Sequence, residues 1–180
     1  MFDPSAYGEA VSSILALDGN GERLMPLAMG RCSSKQARAL LQTKTAGGLF
    51  PYARAPEAAM AGLYLYFSCS EEAHEIAQGV ASVEGSFWHA ILHRQEPDAG
   101  NASYWFRRVG AHPIFPALRE RAAAIGVDFG ALWDPFAFID FCEKARTKLG
   151  SQAEMQAMKV QRAEWQLLFE HCASRGVNLS

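Results

Sequence analysis

Apolar residues recur along most of this chain at intervals of three and four, the spacing that places them on one face of an α-helix. In the segment 71–96, positions 76, 80, 83, 87 and 91 are apolar and form a single stripe at 100° per residue. The segment 57–67 is apolar on nearly every side, which is typical of a helix at the centre of a core. A strand over residues 63–69 is the alternative there, because Tyr and Phe favour strands. Since no strand pairs or heptads accompany it, the pattern predicts an all-α, single-domain irregular helical bundle of about seven helices over residues 1–180.

Start and stop signals place the helix ends. The segment 71–96 reads as one unbroken helix that Pro97 ends. Gly79 and Gly85 within it are each unfavourable by about 1 kcal/mol relative to Ala, which indicates a close backbone contact, a ligand or a kink. Asp98 is a cap for a second, short helix, so residues 71–110 are expected to form an antiparallel helix hairpin. A capping box at Ser151 predicts a last, amphipathic helix over about residues 152–174.

Composition and charge narrow the class of protein. The 180 residues are 49% hydrophobic, enough for a core that needs neither disulfides nor a structural metal. A net charge of −2 argues against a nucleic-acid or anionic-membrane partner. No C-x-x-C pair occurs, so we expect free thiols at all four cysteines: Cys32, Cys69, Cys142 and Cys172. The first residues lack the basic start of a secretion signal, and the longest apolar run is too short to span a bilayer. A soluble, cytoplasmic protein is therefore expected.

Two histidines four residues apart are the first candidate chemistry. On a helix, His89 and His93 lie on one face about 6 Å apart along the axis, which is metal-ligand spacing. A metalloprotease would carry Glu after the first of them, and the chain has Ala there. We expect a third ligand from Glu96 or Asp98. His74 is excluded if the helix is continuous, because fifteen residues separate it from His89 by roughly 22 Å. A structural hydrogen-bonding role for both histidines is the alternative.

The short helix of the hairpin adds an aromatic and basic face. A Tyr hydroxyl, an Arg guanidinium and Trp rings beside the two imidazoles would suit a small anionic or planar ligand. The candidate ligand-binding residues are His89, His93, Tyr104, Arg108, Trp88 and Trp105, and the candidate metal ligands are His89 and His93. The alternative is an ion-pair network in which Arg94 or Arg108 meets Glu96 or Asp98. No nucleophile motif or nucleotide-binding loop occurs, so catalytic residues are not assigned.

Two resemblances rest on the same stretch. Residues 98–108, DAGNASYWFRR, resemble one helix of Sel1-like and tetratricopeptide hairpins, which implies a protein-interaction module. The longer string WHAILHRQEPD, followed by YWFRR and HP, is similar to a family of uncharacterised small helical proteins that share W-H-x-x-x-H-R-x-E…Y-W-F-R-R…H-P. That resemblance implies that residues 88–113 act as one unit and implies no chemistry.

Two classes of function follow from these observations. The first is a domain with a small-ligand or divalent-metal pocket at residues 84–113, with enzymatic activity left open. The second is a non-catalytic interaction or scaffolding domain that forms a homodimer through the amphipathic C-terminal helix. The ligand and the cofactor, a divalent metal among the options, are not identified by sequence.

Overall fold

Helices are the only regular secondary structure in the residues that the computed structural model describes, 2–176. Within that range there are ten α-helices, two 3-10 helices (Pro4–Tyr7 and Ala16–Gly21) and no strand. The α-helices are α1 (Glu9–Leu15), α2 (Lys35–Gln42), α3 (Ala46–Leu49), α4 (Pro56–Tyr66), α5 (Ser70–Gly79), α6 (Val83–Gln95), α7 (Ala99–Val109), α8 (Phe115–Ile125), α9 (Pro135–Ala145) and α10 (Gln152–Ala173). The all-α prediction is confirmed, and the number of helices exceeds the seven expected. One extra helix is the short α3, which the Thr45 side chain caps.

Helices α4 and α10 form the centre of the core. Every residue from position 58 to 66 of α4 is buried, as the apolar pattern predicted. The indole N–H of Trp165 in α10 donates to the carbonyl oxygen of Gly62 at 2.7 Å. Trp88 of α6 packs on the same glycine. A Cβ at position 62 would lie 2.7 Å from the Trp88 ring. The absence of a side chain at Gly62 therefore lets three helices meet.

A buried ion pair joins α6 to α10. The Arg94 and Glu164 side chains are 1% and 0% exposed, and the guanidinium donates to both carboxylate oxygens. Gln161 also accepts from this guanidinium, at 3.4 Å. The sequence-based alternative, in which Arg94 pairs with Glu96 or Asp98, is wrong. Its partner lies 70 positions away along the chain, a separation at which local spacing gives no signal.

The predicted long helix 71–96 is two helices, and this is the main correction to the expected fold. The chain leaves α5 at Gly79 and enters α6 at Val83, with Ser82 accepting from the backbone N–H of Gly85 as the cap. A Cβ at position 85 would lie 2.2 Å from the Val80 carbonyl oxygen. Gly85 therefore allows the link to fold onto the first turn of α6. So short a link lays α5 and α6 side by side and antiparallel.

A disulfide joins Cys32 to Cys69, contrary to the expectation of four free thiols. Their Cα atoms lie 4.6 Å apart, within the usual range for a bridge. The other two cysteines, Cys142 and Cys172, are buried free thiols. A spacing of 37 residues carries no recognisable motif, so the pairing depends on how the loop before α2 meets the start of α5. Separately, none of the helices in residues 2–176 combines the length and apolarity needed to cross a membrane.

We expect Gly85→Ala to destabilise the protein by about 1–3 kcal/mol, because its Cβ would meet a backbone oxygen that no side-chain rotation can move aside. Gly79→Ala is the matched control, since a Cβ there meets nothing within 4 Å. Urea unfolding of both variants measures the difference. Equal stabilities of the two would contradict the close contact at Gly85.

We expect reduction of the disulfide to lower the free energy of unfolding by about 3–4 kcal/mol, the chain-entropy value for a loop of this length. Denaturant unfolding with and without a reductant measures this, with mass spectrometry to confirm the bond. The Cys32→Ser, Cys69→Ser double variant should be as unstable as the reduced protein and insensitive to reductant. An oxidised wild type with an unchanged midpoint on reduction would refute this role.

Candidate functional site

Three imidazoles meet where α5 lies against α6. His74 comes from α5, and His89 and His93 come from α6. The Nε2 atoms of His74 and His89 are 2.9 Å apart, and one ring nitrogen from each of the three lies within 4.8 Å of the others. The reversal after Gly79 brings His74 back to His89, so its exclusion as a ligand is wrong because the helix is not continuous.

His89 is the central residue of this cluster and is 3% exposed. Its ring stacks between two others: the Trp105 ring of α7, with centroids 4.0 Å apart, and the His93 ring, at 4.8 Å. The His74 ring stands nearly perpendicular to His89, at 85°. These contacts hold the His89 ring in one plane, with its Nε2 atom directed at His74 on α5.

Burial, followed by the neighbouring His74 and His93, lowers the pKa of His89 from its ordinary 6.5 to about 4. A protonated ring here would lose its hydration and face two other imidazoles. His89 is therefore neutral at neutral pH. The neutral imidazole is the form that binds a metal ion.

A carboxylate lies next to His93, the third histidine of the cluster. The Nδ1 atom of His93 lies 2.7 Å from an oxygen of Glu96, one turn further along the chain. The two groups do not have the geometry of a hydrogen bond, and Nδ1 of His93 has no hydrogen-bond partner among residues 2–176. Glu96 was expected as a third ligand, but its carboxylate lies beside His93 and outside the group of three imidazoles. The other expected ligand, Asp98, caps α7 by accepting from the Asn101 backbone N–H and side-chain amide.

The four remaining predicted site residues lie in different places. Trp105 stacks on the cluster, while Tyr104 is 46% exposed and lies at its rim. The Arg108 guanidinium carbon lies 5.3 Å from the Trp105 ring centre and 6.0 Å from that of Tyr104. Trp88, by contrast, is fully buried against α4. Its inclusion among ligand-binding residues is therefore not supported, because no surface of its ring is open to a ligand.

A cavity of about 630 Å³ lies on another flank of α7. Its walls are mainly apolar and include the aromatic residues Phe106, Phe115, Trp133 and Phe136, with Arg107 and Arg119 among the polar residues. It therefore suits a planar apolar ligand, but none of the predicted ligand-binding residues lines it. Sequence reasoning missed it because the wall comes from α7, α8 and the loop before α9. The only signal for this cavity in the sequence was the aromatic content of those segments.

Comparisons with protein-family models, with curated proteins and with solved structures found no match. The resemblances to Sel1-like hairpins and to the family of uncharacterised helical proteins stay predictions. The function must therefore be argued from the site itself.

We expect stability to fall as the pH is lowered from 7 to 4, because His89 takes up a proton near pH 6.5 when unfolded and only near pH 4 when folded. Between those values the unfolded state binds more protons, so acid favours unfolding. The loss from His89 alone is on the order of 3 kcal/mol and levels off below pH 4.

Urea unfolding in the presence of EDTA at pH 7, 6 and 5 measures this loss. His89→Gln cannot titrate and should show a weaker pH dependence than wild type, with Glu75→Gln, an exposed change on α5, as the control. Parallel profiles for His89→Gln and wild type would contradict the role of His89.

Proposed function

We propose that the chain binds a divalent transition-metal ion, zinc or a close relative, through His74, His89 and His93. The single observation that carries this proposal is the convergence of three ring nitrogens within 4.8 Å across α5 and α6. Three histidines are one of the protein ligand sets of catalytic zinc sites, in which a fourth position holds water or substrate.

The protonation states support metal binding over a cluster of charged rings. His89 is neutral at neutral pH, and the Glu96 carboxylate, 2.7 Å from Nδ1 of His93, places a negative charge beside the group. The 2.9 Å contact between His74 and His89 needs only one proton between two nitrogens, so it can form without a metal. A metal ion would replace that shared proton, which makes binding compete with protons and favours it at higher pH.

The residues around Trp105 indicate which kind of ligand would bind next to the cluster. Arg108 and Tyr104 stand beside Trp105, which covers one face of His89. An arginine there suits a small anion, such as a carboxylate or a phosphate, and Trp105 offers a planar surface. A divalent ion held by the three histidines would act as a Lewis acid, and an anion bound by Arg108 would be the candidate substrate for hydrolysis. Hydrolysis is therefore the reaction class that we propose for an enzymatic activity at this site.

The scaffolding alternative receives less support from the fold. It rested on an amphipathic α10 with a face left for a second copy of the chain. Residues 163–169 of α10 are all buried within the chain, so that stretch has no free apolar side. The cytoplasmic location also stays a prediction, and the Cys32–Cys69 disulfide argues against it, because such bonds rarely persist in a reducing compartment.

Zinc titration of EDTA-treated protein, followed by calorimetry, tests the site. We expect one ion per chain to bind at this cluster and to raise the melting temperature. His93→Gln should weaken its binding by about 100-fold or more, because even the loss of a supporting residue typically costs 10–100-fold. Glu96→Gln, which removes only a negative charge next to His93, should fall in that smaller range.

Glu75→Gln is the control, because it removes a nearby exposed carboxylate on α5 without touching the cluster. Circular dichroism confirms that each variant is folded. Undiminished zinc affinity and stoichiometry in folded His93→Gln and His89→Gln would overturn the proposal.

A further inference from the structure

The two histidines outside the first cluster also meet each other. His112 lies in the loop between α7 and α8, and His171 lies in the last turn of α10. Their ring centres are 4.9 Å apart. Glu84, in the first turn of α6, completes the group, with an oxygen 3.3 Å from Nε2 of His171. One ligand atom from each of the three lies within 4.8 Å of the others.

The buried member of this group has an unpaired nitrogen. His112 is 5% exposed, and its Nε2 has no hydrogen-bond partner among residues 2–176. A buried polar atom without a partner costs free energy, so it marks a position where a ligand would stabilise the fold. Its other nitrogen, Nδ1, accepts the backbone N–H of Ile114 at 3.4 Å, which is long for such a bond.

The charges of the group suit a cation. Burial opposes ionisation of Glu84, but hydrogen bonds from its own backbone N–H, Ser82 and His171 outweigh it and lower its pKa. Burial, followed by the nearby His171, lowers the pKa of His112 to about 4, with Glu84 acting in the opposite direction. At neutral pH the group therefore contains a carboxylate and a neutral imidazole, which are metal-binding forms.

We propose that Glu84, His112 and His171 form a second divalent-metal site, distinct in composition from the three-histidine cluster. Two histidines and one carboxylate are the ligand set of several catalytic zinc sites and of non-haem iron(II) sites. The carboxylate offsets part of the ion's charge in a half-buried position, which three neutral imidazoles do not.

The three ligands come from three separate elements: the start of α6, the α7–α8 loop and the end of α10. An ion bound here would link the end of α10 to the start of α6 and to the α7–α8 loop. Binding through Nε2 of His112 moves the ring proton to Nδ1 and breaks the long contact with Ile114. That contact is weak, so its loss costs less than the new metal bond contributes.

Zinc stoichiometry in single and double variants tests the second site separately from the first. EDTA-treated protein is titrated with zinc against a chromophoric chelator, with circular dichroism as the folding check. The wild type should bind two ions. His171→Gln and His93→Gln should each bind one, and the double variant none. His171 is preferred to the buried His112 as the target, because its side chain is 15% exposed and its loss leaves the core intact.

Glu170→Gln is the matched control, since it changes the exposed neighbour of His171 on α10 and should keep two ions. Glu84→Gln should weaken the second ion at least about tenfold while leaving the first unchanged. A wild type that binds one ion, lost in His93→Gln and kept in His171→Gln, overturns the second site and leaves the first. Loss in His171→Gln alone supports the second site and overturns the first.

Discussion

The close approach of Gly85 to the Val80 carbonyl is the contact on which the candidate metal chemistry depends. It lets the chain reverse over three residues between α5 and α6. Without that reversal, His74 would continue away from His89 along one long helix. With it, Nε2 atoms that are fifteen positions apart in sequence stand 2.9 Å apart. A methyl group at position 85 would occupy the space that the link needs, so the first turn of α6 tolerates only glycine without distortion.

Helix α6 brings the main features of the protein together. Ten of its 13 residues are buried, so it packs against the rest of the protein over most of its surface and not only along one apolar stripe. Its start supplies Glu84 to the second cluster, and its middle supplies His89 and His93 to the first. Near its end, Arg94 pairs with Glu164 of α10. Since a buried charge without its partner is strongly destabilising, this ion pair constrains how α6 lies against α10.

Much of the helical framework follows from local signals. The Asp98 cap and the last helix, Gln152–Ala173, agree with the predicted positions. The metal-ligand spacing of His89 and His93 was also visible, because residues four apart share a helix face. The failures have two causes. The Arg94 partner and the Cys32–Cys69 bond depend on segments that are distant in sequence, and no spacing rule reports such contacts. His74 was excluded because the apolar stripe runs across the break between α5 and α6 and hides it.

The amino-acid sequence by itself determined that this chain is all-α, where several of its helices begin and end, and that two imidazoles lie on one helix face. Helix propensity, caps and apolar periodicity are local properties, so they can be read residue by residue. The tertiary structure alone decided which groups meet: the third imidazole, the Trp105 ring over His89, and the Glu84, His112 and His171 cluster. Those contacts arise from the packing of separate helices around α4 and α6, and packing depends on the whole chain at once.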